Sequence, residues 1–100
     1  MTEATTNEAH ASVPTTSGGK YVQQLCKHWA HKLPVELDRD SGVVTFEGAV
    51  LTLRADAETI EVNLRGEDRK TVERLKPVVA SHLDRFAFRE APLTFDWVWA

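Results

Sequence analysis

The stretch Cys26-Lys27-His28-Trp29-Ala30-His31-Lys32 brings one thiol and two imidazoles within six residues. A thiolate beside two imidazoles is a donor set suited to zinc. On a helix, however, Cys26 points about 140° from His31 and about 160° from His28, so the three cannot converge. Cys26 falls instead on an apolar half between Val22 and Trp29, where it reads as a small buried core residue. His28 and His31 lie about 60° apart, a spacing at which two imidazoles can share a ligand. A third imidazole, His82, sits beside Leu75 and Val78 on a later helix. If the two helices pack side by side, His28, His31 and His82 form a candidate site for a divalent metal or haem. Asp84 and Glu90 are then the carboxylates nearest in sequence to orient the ligands. The competing reading makes His28 and His82 flank residues hydrogen-bonded to backbone or carboxylates, with His31 solvated at a helix end.

Other chemistries have less to stand on. A reactive cysteine needs a partly exposed thiol beside a base, and Cys26 faces inward. The chain has no G-x-S-x-G elbow, no P-loop and no G-x-G-x-x-G fingerprint. The catalytic set is therefore empty, and no cofactor is specified. Two features suit a partner. Lys20, Lys27 and Lys32 occupy a segment without acids, which can steer an anionic group. Phe86, Phe88, Phe95, Trp97 and Trp99 crowd the C-terminus, where they either complete the core or leave an exposed patch. Lys27, Lys32, Trp97 and Trp99 are accordingly the candidate partner-binding residues.

The elements that position these groups follow from periodicity. Residues 1–17 are rich in Thr, Ala, Glu and Ser without an apolar rhythm, and read as a mobile tail ahead of a single domain over 18–100. Ser17 is placed to cap a helix from Gly18 to about Lys32, ended by Pro34. Its apolar half holds Tyr21, Val22, Leu25, Cys26, Trp29, Ala30 and Leu33. From Val35 to Arg65 the period changes to two, giving four strands around Val35 and Leu37, Val44 and Phe46, Leu51 and Leu53, and Ile60, Val62 and Leu64. Asp40-Ser41-Gly42, Glu47-Gly48 and Asp56-Ala57-Glu58 supply the turns of a meander. The alternate positions, among them Glu36, Thr52, Arg54, Glu61, Asn63 and Arg65, form a polar and solvated face, so only one face of the sheet needs covering. A second helix runs from near Asp68 to about Ala87 with Val72, Leu75, Val79, Leu83 and Phe86 as its stripe, and Pro77 is expected to kink or split it. The alternation in 93–99 suggests a further strand or an extended arm. The fold expected is α+β, a two-layer sandwich of an antiparallel four- to five-stranded sheet with two helices on one face, in the order α-β-β-β-β-α-(β).

Composition sets the outer limits. With 42% hydrophobic and 27% charged residues, neither wholesale disorder nor a membrane span is indicated. Glu3 and Glu8 account for two of the three units of net negative charge, which leaves twelve bases against thirteen acids from Lys20 onward. That near-neutrality argues against a general nucleic-acid binder. The N-terminus lacks the basic and apolar regions of a signal peptide, and a lone cysteine forms no internal disulfide, so the default address is the cytoplasm, as a monomer or weak homodimer.

Two segments carry a resemblance. Leu25-Cys26-Lys27-His28 followed by His31-Lys32, and His82-Leu83 followed by Arg85-Phe86-Ala87-Phe88-Arg89-Glu90, resemble a bacterial family known as domain of unknown function 2218, over roughly Lys20 to Trp97. The family has no established activity. Similar domains occur joined to siderophore-interacting proteins, flavin-dependent reductases that release iron from siderophores, and the resemblance implies such a reductase as a partner. This chain has no flavin-binding region, so no reductase activity carries over. The expectation is a non-catalytic accessory or binding domain linked to iron and siderophore handling, with metal or haem binding by the histidines as the alternative.

Overall fold

A computed structural model describes residues 7–99 as a six-stranded antiparallel sheet and two helices, an α+β architecture. The elements are β1 (Glu8–Pro14), α1 (Gly18–Trp29), β2 (Val35–Asp38), β3 (Ser41–Phe46), β4 (Ala49–Ala55), β5 (Thr59–Gly66), α2 (Arg69–Phe86) and β6 (Val98–Trp99). The sheet order is β2-β3-β4-β5-β1-β6. The expected meander is present as β2 to β5, and two strands from the chain ends extend it beyond β5.

The expectation of a mobile tail over 1–17 is corrected from Glu8 onward, while residues 1–6 lie outside the described part. Strand β1 pairs with β5 along its whole length, from Glu8 opposite Arg65 to Pro14 opposite Thr59. Ala9, Ala11 and Val13 are fully or almost fully buried. Their alternation is real but built from small side chains, and burial against β5 and α2 offsets an ordering cost that local sequence alone cannot meet. Thr15 then turns the chain: its Oγ1 accepts from Ser17 N at 3.1 Å. Ser17 occupies the N-cap position of α1, but its side chain makes no capping bond.

One face of the sheet is apolar. Val44, Leu51, Leu53, Ile60, Val62 and Leu64 are fully buried there, as are Val22 and Leu25 of α1 and Val72, Val79 and Leu83 of α2. Each large side chain so buried contributes roughly 1.5–3 kcal/mol. Helix α1 packs over β2 to β5 and α2 over β5 and β1, so the helices lie side by side on the same face. Helix α2 starts where expected, with the Asp68 carboxylate accepting from Thr71 N at 2.7 Å, and it runs unbroken through Pro77 to Phe86.

Gly42 is not part of a turn. The β2–β3 hairpin closes on Arg39-Asp40, with Arg39 at a φ of 36°, and Gly42 lies inside β3 opposite Leu37. A Cβ at Gly42 would stand 2.3 Å from the Cys26 sulfur, so the missing side chain makes room for Cys26 rather than for a bend. Cys26 is fully buried, and burial pushes its thiol up to about 11. It stays protonated at neutral pH, as a core residue and not a nucleophile.

Candidate functional site

Side-by-side packing of α1 and α2 brings the two motif-bearing segments together. The rings of His28 and His82 stand 5.7 Å apart between centroids and are tilted by 42°. His28 also meets the edge of Phe86 at 5.8 Å, and His82 lies 4.9 Å from Trp29, which in turn meets Phe46 at 5.1 Å. The result is a run of five rings, from half-buried Phe46 across buried Trp29 and half-buried His82 to exposed His28 and half-buried Phe86.

His82 is held by its own helix. Its Nδ1 donates to the Val78 carbonyl at 2.7 Å, because a carbonyl can only accept, and this leaves Nε2 as the uncommitted ring nitrogen. His28 has its pKa lowered, first by desolvation and then by the positive field of His82, Arg85, His31 and Lys32. It is therefore neutral at pH 7. The charged neighbours that act on it are bases contributed by both helical segments.

The sequence-derived candidates fall into separate places. His28 and His82 are brought together. His31 lies beyond the end of α1, exposed, its backbone N–H donating to the His28 carbonyl at 3.5 Å, and no ring contact joins its imidazole to His28 or His82 among the described residues. The 60° relation expected for a continuous helix ends with α1 at Trp29. Among the described residues, no group of three or more His, Cys, Asp or Glu side chains could hold a metal ion. Lys27 and Lys32 are exposed on α1 and the turn after it. Trp97 and Trp99 are half-buried at the other side of the molecule, beyond β1. Lys76 lies 4.3 Å over Trp99 and 5.8 Å over Trp97, and Arg69 lies 4.2 Å over Trp99. The four residues thus make two surfaces, and the tryptophan one is occupied by cations of α2.

Glu90, expected as a carboxylate near the histidines, serves elsewhere. It accepts from Thr15 Oγ1 at 3.1 Å and from the Tyr21 hydroxyl, clasping the start of α1 to the segment after α2. Asp84 accepts from Leu93 N at 2.9 Å. Neither carboxylate orients an imidazole.

The open face of the sheet holds polar residues that sequence reasoning treated as simply solvated. Glu61 accepts from Ser12 Oγ at 2.7 and 2.9 Å, from Thr59 Oγ1 at 3.1 Å, and pairs with His10 Nε2 at 2.9 Å. The Ser12 hydrogen bond, foremost, holds its carboxyl below the ordinary carboxylate value. Two hollows of about 330 Å3 each open on this face and share Thr52 and Asn63. The alternation in β4 and β5 does show which residues point this way. The contribution of His10 and Ser12 carried no such signal, because β1 has no strong apolar partner set in sequence.

Comparison with known proteins agrees with this architecture. The solution NMR structure of PA4090 from Pseudomonas aeruginosa superposes with a TM-score of 0.74 at 32% identity, covering 93% of this chain and 94% of that one. No curated protein matches the chain. The family model described as an uncharacterized protein conserved in bacteria, DUF2218, matches residues 10–98, which takes in β1 as well as both histidine-bearing segments. On that match, spanning nearly the whole described domain, the chain belongs to the DUF2218 family.

Proposed function

We propose that this domain is a non-catalytic binding module that recognises an anionic group on a partner through the basic, ring-lined surface where α1 and α2 meet. The observation that carries the reading is the environment of His28: an exposed imidazole between His82 and Phe86, in the field of His31, Lys32 and Arg85. Bases clustered around an exposed ring favour an acid, since their side chains can pair with a bound carboxylate or phosphate. The same field disfavours a metal cation. The partner class proposed, a siderophore-interacting reductase of bacterial iron handling, draws its support from the resemblance to domains joined to such reductases.

Isothermal titration of the full chain against a siderophore-interacting reductase tests the reading. Saturable binding that weakens at least tenfold in Lys32→Glu and Arg85→Glu supports it. Absence of binding, or binding indifferent to both reversals, refutes it. A parallel NMR titration with zinc, ferrous iron and haem separates the competing chemistry: stoichiometric shifts of the His28 and His82 imidazole resonances would establish metal ligation instead.

A further inference from the structure

The uncovered face of the sheet, remote from the helix patch, carries a second arrangement. We propose that it binds a small molecule with two acid groups, one on Arg54 and the other on Arg65. The register pairs Thr52 with Asn63. Because β4 and β5 are antiparallel, Arg54 stands two residues from that pair in one direction and Arg65 two residues in the other, about 7 Å each way along the strands. One of the two hollows extends from Thr52 and Asn63 to Arg54, and the other extends from the same pair to Arg65. Together they form a trough with Thr52 and Asn63 at its centre and a guanidinium at each end, where Glu61 also lines the Arg54 end and Glu67 the Arg65 end.

Both guanidiniums are available. The register sets Arg54 opposite Glu61 and Arg65 opposite Glu8, where opposite charges across strands ordinarily pair. Each carboxylate is turned to another donor. Glu61 is taken up by Ser12, Thr59 and His10, and Glu8 accepts from Asn63 Nδ2 at 2.7 Å. Among the described residues, the side chains of Arg54 and Arg65 are left without a hydrogen bond or an ion pair. A planar guanidinium fork matches a carboxylate or phosphate in bidentate geometry, and two forks at opposite ends of a trough select a ligand with two such groups joined by a short spacer. Thr52 Oγ1 and the Asn63 side-chain carbonyl remain to meet the spacer. The two unpaired guanidinium forks, rather than the charge of the whole lining, thus name the occupant: a dicarboxylate or a bisphosphate.

The test is an NMR titration of the full chain at low ionic strength with pimelate and with 1,6-hexanediol bisphosphate, using acetate and methyl phosphate as controls with a single acid group. Backbone amides and arginine Nε–H resonances are followed. The expected result is saturable shifts centred on Thr52, Asn63, Arg54 and Arg65 with one or both two-acid ligands, at least tenfold weaker for the matching one-acid control and for each of Arg54→Gln and Arg65→Gln. Arg85→Gln leaves this binding unchanged, which keeps the result separate from the helix-patch reading. Both arginines are exposed, so the variants retain the dispersed spectrum of the folded chain. No saturable shift with either two-acid ligand, equal affinity for a two-acid ligand and its one-acid control, indifference to either substitution, or shifts centred on His28 and His82 would each overturn the proposal.

Discussion

Strand β1, Glu8–Pro14, has no side chain larger than valine among its apolar residues, yet it pairs over seven positions and buries Ala9, Ala11 and Val13. The C-terminal stretch 93–99 carries Leu93, Phe95, Trp97 and Trp99, yet joins the sheet through Val98 and Trp99 alone. Of those four large residues only Leu93 is buried. The difference teaches that position in the sheet, not side-chain bulk, decides which chain end is structural. β1 fills an interior slot between β5 and β6 beneath α2, where its small apolar side chains are buried. The tryptophans occupy a sheet edge, where wide rings lie against Arg69 and Lys76 and keep partial contact with water.

The most severe way to break this comparison is to remove the first fourteen residues. A chain starting at Thr15 loses an interior strand and exposes the β5 edge, so its cooperative thermal transition should vanish in circular dichroism; retention of a sharp transition would show β1 to be dispensable. Ala11→Leu sharpens the slot argument. Overpacking beneath α2 is expected to cost about 1–3 kcal/mol in urea unfolding, whereas a neutral or stabilising result would mean the slot is loose. Tyr21→Phe should cost about 1–2 kcal/mol, because it removes one of two hydroxyls that the Glu90 carboxylate accepts to clasp the two ends of the domain. Trp99→Ala, at the edge, should cost about 1 kcal/mol or less, in keeping with cation–ring contacts at a half-exposed site.

The smallest effect concerns pH. The Glu61 carboxyl is lowered from 4.5, chiefly by the Ser12 hydroxyl of β1, with Thr59 and His10 adding to it. A depressed carboxyl stabilises the fold fully above its ordinary value, and the contribution disappears as pH falls through the folded value. Both Glu61 and His10 are more than a third exposed, so the loss below pH 4.5 is small. The urea midpoints of the parent and Glu61→Gln chains should therefore differ slightly at pH 7 and converge at pH 3. Equal midpoints at pH 7 would show that this polar seam adds nothing to β1 attachment.

Much of the fold was legible in residue order. The change of apolar period from 3.6 to 2 after Pro34, and back after Gly66, locates α1, β2 to β5 and α2 to within a few residues. Asp68 marked the start of α2, and the inward direction of Cys26 followed from its helical neighbours. The His28–His82 approach was also within reach, since two stripes facing one sheet face must lie side by side. The open-face hollows were not, because their residues belong to three strands and acquire meaning only through register.

By itself, then, the sequence determined the α+β class, the one-sided core, the burial of Cys26 and the family to which the chain belongs. These depend on local periodicity and on motif residues, both written along the chain. Tertiary structure alone decided that Glu8–Pro14 is an interior strand, that Gly42 makes room for a sulfur, that Glu90 clasps the chain ends rather than the histidines, and that Arg54 and Arg65 lack their expected partners. Each of these turns on which side chain reaches a group first across strands or helices. That competition is settled by distance in three dimensions, which no one-dimensional pattern records.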